Sequence, residues 1–103
     1  MVAPSANDSA PGPAEARRTV TILNKRGLHA RAAARFVKLA WEYNAEITVT
    51  KTGGASVSGR SIMGLMMLAA APGSTLDLAA SGPDAAAALD ALCALIAGGF
   101  NEE

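Results

Sequence analysis

Hydrophobic and polar positions alternate over Thr19-Val20-Thr21-Ile22-Leu23, a run rich in β-branched residues that predicts a strand. Asn24 to Leu28 breaks the alternation as a loop, with Gly27 available for a tight or left-handed backbone. Over residues 30–43 the period lengthens. Ala33, Phe36, Val37 and Ala40 recur at three- and four-residue spacings, opposite a polar stripe of Arg31, Arg35, Lys38 and Glu42, so a helix is expected. Leu28 is placed to pack back on that helix as a hydrophobic staple. Asn44 ends it, and Glu46-Ile47-Thr48-Val49-Thr50 alternates again as a second strand. Lys51-Thr52-Gly53-Gly54 is a turn signal, which predicts a short hairpin partner over residues 55–59.

Ser61 then precedes Ile62-Met63-Gly64-Leu65-Met66-Met67-Leu68, a short apolar helix for which serine is a preferred cap. Pro72-Gly73 turns the chain into Thr75-Leu76-Asp77-Leu78-Ala79, a fourth strand with Leu76 and Leu78 inward. Gly82-Pro83-Asp84 opens a last helix, with Pro83 suited to its first position. Its apolar stripe includes Leu89, Leu92, Cys93 and Ile96, and Gly98-Gly99 stops it. The order strand, helix, strand, strand, helix, strand, helix is best buried as an α+β open-faced sandwich. Such a fold is a four-stranded antiparallel sheet with three helices over one face (βαββαβα).

Composition narrows the function. Residues 1–16 are rich in Ala, Pro, Ser and Gly, lack a basic start and an apolar middle, and are read as a disordered tail. Residues 17–103 form the single domain that 103 residues can supply. Nine basic residues balance nine acidic ones, and only four aromatics are present (Phe36, Trp41, Tyr43 and Phe100). That argues against a nucleic-acid or polybasic membrane binder. No apolar run is long enough to cross a bilayer. The lone Cys93 fits a reducing cytoplasm and is expected to pack rather than react.

The single histidine, His29, stands where the first loop becomes a helix, in Asn24-Lys25-Arg26-Gly27-Leu28-His29-Ala30-Arg31. Unpaired N–H groups and the helix dipole favour an anion at that end and disfavour imidazolium. A neutral imidazole beside phosphate-binding amides is the chemistry of a reversible phosphoryl acceptor. Arg31 sits in the first turn, where a cation opposes the dipole. Its presence there makes more sense with a phosphate nearby.

That run, with Arg60-Ser61-Ile62-Met63-Gly64, resembles the histidine-containing phosphocarrier (HPr) family of the bacterial phosphoenolpyruvate-dependent phosphotransferase system. The inferred element order and length match as well. The resemblance implies that His29 takes a phosphoryl group on Nδ1 from enzyme I and passes it to an enzyme IIA protein. It also places the amides of Ala30 and Arg31 near the phosphate and implies no cofactor for the carrier itself. The family pattern has proline three residues after the histidine; Ala32 stands there, and a good helix former should keep the helix intact. Gly99-Phe100-Asn101-Glu102-Glu103 resembles members of the nitrogen-regulatory branch, with the sugar-transport branch left open.

Other residues carry two readings each. Ser61 caps the short helix, and in the family the serine at this place is also a target of an inhibitory kinase, HPr kinase/phosphorylase. Ile62, Met63 and Met66 are expected to dock partners, with Leu65 and Leu68 filling the core. Arg35 and Lys38 suit either docking to an acidic partner or plain solvation. One histidine and one cysteine make no zinc site, and no serine–histidine–acid triad can be argued. The expectation is therefore a monomeric cytoplasmic phosphoryl carrier rather than a stand-alone enzyme. The rival is a regulatory interaction module that works by binding partners.

Overall fold

The computed structural model describes residues 15–102. Four strands, β1 (Glu15–Thr21), β2 (Glu46–Lys51), β3 (Ser56–Ser58) and β4 (Thr75–Ser81), pair antiparallel in the order β1-β4-β2-β3. Helices α1 (Ala30–Ala40), α2 (Ile62–Met67) and α3 (Ala85–Ala97) follow in the predicted order, and a 3-10 turn spans Gly99–Asn101. Register sorts the side chains by face. Val49 pairs with Leu78 and Ile47 with Ala80, and all four are buried. Their neighbours Glu46, Thr48 and Asp77 are exposed on the other face. Against the buried face, Phe36 and Val37 of α1, Leu65 of α2, and Leu89, Leu92 and Ile96 of α3 join one hydrophobic cluster. This is the open-faced α+β sandwich expected from the alternation and the two helical periods.

Element boundaries move for local reasons. β1 begins at Glu15, paired with Ser81, so two residues assigned to the tail belong to the sheet. The rest of that tail lies outside the described residues. β1 also ends before Ile22 and Leu23. Ile22 instead donates its N–H to the Ser74 carbonyl at 2.9 Å and buries its side chain, while Leu23 turns outward. α1 stops at Ala40 rather than Tyr43 because Glu42 and Tyr43 donate to the Leu39 and Ala40 carbonyls, three residues back. Such bonds tighten a final turn.

α3 starts at Ala85 with Asp84 as its N-cap, which leaves Pro83 just before the cap instead of at the first helical position. The Asp84 carboxylate accepts the Asn44 N–H at 2.8 Å and Asp84 donates its own N–H to the Asn44 carbonyl at 3.1 Å. The residue thus ties the α1–β2 loop to the start of α3 instead of capping its own helix. Cys93 lies at the margin of the apolar stripe, half-buried, and burial pushes its thiol above the ordinary value.

Candidate functional site

The loop between β1 and α1 is folded by its own side chains. Asn24, 7% exposed, donates from Nδ2 to the Gly27 carbonyl at 2.8 Å. Gly27 takes a left-handed backbone (φ +66), and a Cβ there would fall 2.4 Å from the Ala70 carbonyl oxygen. Only glycine lets the two segments approach so closely. One residue later Leu28 donates its N–H to that same carbonyl at 2.9 Å and buries its side chain in the core cluster with Ala33, as a staple should.

These contacts deliver His29 to the N-cap of α1 in an extended conformation (φ −81, ψ 179). Its carbonyl accepts the Ala33 N–H at 2.8 Å, so the helix begins with the backbone of His29. The imidazole makes no capping bond and is available for other chemistry. The amides of Ala30, Arg31 and Ala32 precede the first intrahelical bond and form the electropositive end of α1. Ala32 is fully buried inside the intact helix, as a helix former in place of proline should be.

His29 opens on a cleft of about 720 Å³ lined by Lys25, Arg26, Arg31 and Arg35 on one side and by residues of the 3-10 turn on the other. A chain of zero net charge thus concentrates four cations around one imidazole. Cations gathered in this way favour an anion in the cleft. Arg31 is exposed at its edge. Arg35 also has a structural part that was not expected: its Nη1 donates to the Phe100 carbonyl and clasps the 3-10 turn onto α1. Lys38 remains an exposed cation in the last turn of α1, where it complements the dipole.

Sequence reasoning missed Glu102 as a member of the site. One of its carboxylate oxygens meets His29 Nε2, and the other accepts from Asn24 Nδ2 at 3.1 Å. The hydrogen bond from His29 is the main influence holding the Glu102 carboxyl below the usual carboxylate range, with smaller help from Asn24 and Arg26 against partial desolvation. Gly99, Phe100 and Asn101 all have positive φ (67°, 57° and 64°), and the Phe100 ring is fully buried, so the turn is held by its anchor and by Arg35. Seventy-three residues separate Glu102 from His29, and no local pattern links them.

α2 offers an apolar face. Ser61 caps it, its Oγ accepting the Gly64 N–H at 2.9 Å. Replacing Ser61 with alanine is expected to cost about 1 kcal/mol of stability, measured as a lower midpoint in urea. Met63 is 72% exposed and Met67 77%, with Ile62 and Met66 at 42% and 44%. Leu65 and Leu68 are buried as expected, and Met67 joins the exposed face although its position in the run did not single it out. Arg60, just ahead of the helix, stacks over exposed Trp41 at 4.3 Å and donates to the Tyr43 carbonyl at 2.9 Å. Among the described residues, no helix is long and apolar enough to cross a membrane.

Comparison with known proteins agrees with this geometry. A family model described as the PTS HPr component phosphorylation site matches residues 16–98. The phosphocarrier protein NPr of Shewanella violacea is 51% identical over 85 residues, 82% of this chain and 92% of that protein. The phosphocarrier protein HPr of Cupriavidus necator is 49% identical over 86 residues, 84% of this chain and 96% of that protein. Among solved structures, HPr from Thermoanaerobacter tengcongensis superposes with a TM-score of 0.80 at 42% identity, covering 85% of this chain and 98% of that one. On a match that spans the sheet, all three helices and the His29 loop, the chain belongs to the HPr family of phosphocarrier proteins.

Proposed function

We propose that this chain is a phosphoryl relay of the phosphotransferase system, accepting a phosphoryl group on His29 from enzyme I and passing it to an enzyme IIA protein in the cytoplasm. The observation that carries this reading is an imidazole at the N-cap of α1 that makes no capping bond and faces a cationic cleft beside open first-turn amides. In the transfer, the amides of Ala30 and Arg31 and the Arg31 guanidinium receive the phosphoryl oxygens. The group needs no metal or cofactor from the carrier for this step, because binding and positioning are what phosphoryl transfer asks of it.

Ile62, Met63 and Met66 form the docking face for donor and acceptor, with Met67 extending it. Flexible thioethers suit successive partners of different shape. Met63→Asp should leave the fold intact, since the side chain is largely exposed, yet slow charging by enzyme I about tenfold or more. Steady-state charging rates against enzyme I concentration check this, and an unchanged rate would remove Met63 from the docking face. Ser61 is the candidate site for HPr kinase/phosphorylase. Its Oγ is engaged in the cap, so phosphorylation there requires that the Gly64 N–H find a phosphate oxygen instead.

The exposed α2 face also suits a protein that works by binding alone. If His29→Ala keeps the biological output and Met63→Asp loses it, binding rather than transfer is the working activity. Relatives named HPr and NPr match at nearly equal identity, so the branch is best assigned by offering the charged protein sugar-specific and nitrogen-related enzyme IIA proteins in parallel.

A further inference from the structure

Glu102 is the one carboxylate among the described residues that line the His29 cleft, and it is held there from three directions. Its first oxygen meets His29 Nε2, and its second takes the Asn24 Nδ2 proton at 3.1 Å. Asn24 is itself buried and fixed by the Gly27 carbonyl. The preceding turn runs through left-handed residues that a bulky side chain rarely adopts, and the buried Phe100 ring and the Arg35 clasp hold it there. Maintaining such a conformation through independent contacts points to a use for the group it presents.

We propose that Glu102 is a positioning residue for phosphoryl transfer, keeping the His29 ring proton on Nε2 and the lone pair on Nδ1. The proposal rests on the phosphoacceptor reading of His29. An ionised carboxylate only accepts hydrogen bonds, so a neutral imidazole facing it must donate from Nε2. The Nδ1 lone pair then forms the N–P bond as the bond from phosphorus to the donor breaks and its electron pair leaves with the donor. Nε2 keeps its proton throughout. The phosphorylated ring is therefore cationic, and the Glu102 carboxylate balances that charge without taking the proton, much as a buried aspartate supports a catalytic histidine. Passing the group on reverses the step, with the N–P electron pair returning to Nδ1. Lys25, Arg26, Arg31 and Arg35 line the same cleft, so among the described residues that line it Glu102 is the one side chain whose charge opposes that of the cationic ring.

The test uses the full chain in three forms: wild type, Glu102→Gln and Glu102→Ala. Nitrogen NMR of the His29 ring reports which nitrogen carries the proton in each neutral form, and quenched-flow charging by enzyme I reports rates between pH 6 and pH 9. The expected result is an Nε2–H ring in wild type and charging slowed about tenfold or more in Glu102→Ala. Glu102→Gln, which keeps an acceptor oxygen but not the charge, should fall between them and show a displaced pH–rate profile. A wild-type ring protonated on Nδ1, or a Glu102→Ala protein with wild-type rates and an unchanged pH profile, would overturn the proposal. If wild type takes no phosphoryl group at all, the carrier reading itself fails, an outcome distinct from a charged protein indifferent to Glu102. Circular dichroism of both variants separates a misfolded protein from a slow one.

Discussion

His29→Ala is expected to abolish acid-labile phosphorylation completely while leaving the fold in place. The loss should be total because the chain has no second imidazole to take over. Phosphohistidine is broken by mild acid, whereas the phosphate esters of serine or threonine survive it, so acid lability separates the two. The fold should persist because the His29 side chain is not a core residue and gives α1 no capping bond. Its backbone carbonyl, which receives the Ala33 N–H, remains in the alanine variant. What is lost is the contact with Glu102, which keeps its bond from Asn24, so only a small change in stability is expected. Intact mass with and without acid reads the first effect and thermal unfolding the second. Acid-labile label persisting in the variant would remove His29 from its assigned role.

Gly27→Ala is expected to be the most damaging single-atom addition near the site. Alanine at φ +66 meets the left-handed penalty, about 1–2 kcal/mol. Its Cβ would also stand 2.4 Å from a backbone oxygen, an atom that cannot swing away as a flexible side chain could. Relieving that overlap by moving the Ala70 segment or the loop costs about 1–3 kcal/mol more. The sum, roughly 2–5 kcal/mol, is a large part of the stability of a domain this size and corresponds to a fall of 10 °C or more in Tm. The same movement breaks the Leu28 N–H bond to Ala70 and displaces His29, so charging by enzyme I should fall as well. A Tm within about 2 °C of wild type would show that the loop relaxes freely, contrary to the clasp described above.

The difference between what was legible in the sequence and what was not follows from the range of the interactions. Alternation in Ile47–Val49 and Leu76–Leu78 and the helical spacing of Phe36, Val37 and Ala40 reflect which face each residue buries. Those patterns were therefore sufficient for the architecture. β1 was displaced because Arg17 and Arg18 disguise its first half: Arg18 alternates in step with Ala16 and Val20, yet it reaches Asp90 of α3 at 3.1 Å. An arginine in a strand reads as polar until its partner, 72 residues away, is known. α3 was started two positions early at Pro83 because the cross-loop bond between Asp84 and Asn44, not the proline, sets where the helix begins.

At the site the same division holds. His29, Arg31 and Ser61 lie beside their own helix starts, where local spacing put them, while the roles expected of them leaned on the family resemblance. Glu102 and the clasp by Arg35 depend on a turn that returns from the far end of the fold, which no window of sequence displays. Net charge was informative about bulk attraction and silent about the four cations gathered in the His29 cleft. Ile62, Met63 and Met66 were expected on the docking face of α2, and the structure adds Met67, which is as exposed as Met63.

Every role proposed for the cleft depends on His29 carrying a transferable phosphoryl group. The most direct measurement is intact mass of the full chain after incubation with phosphoenolpyruvate and its cognate enzyme I, before and after mild acid. One added phosphate is expected, which acid removes and which His29→Ala never acquires. A folded wild-type protein that gains no phosphate from an active cognate donor, or gains one that survives acid, would contradict it.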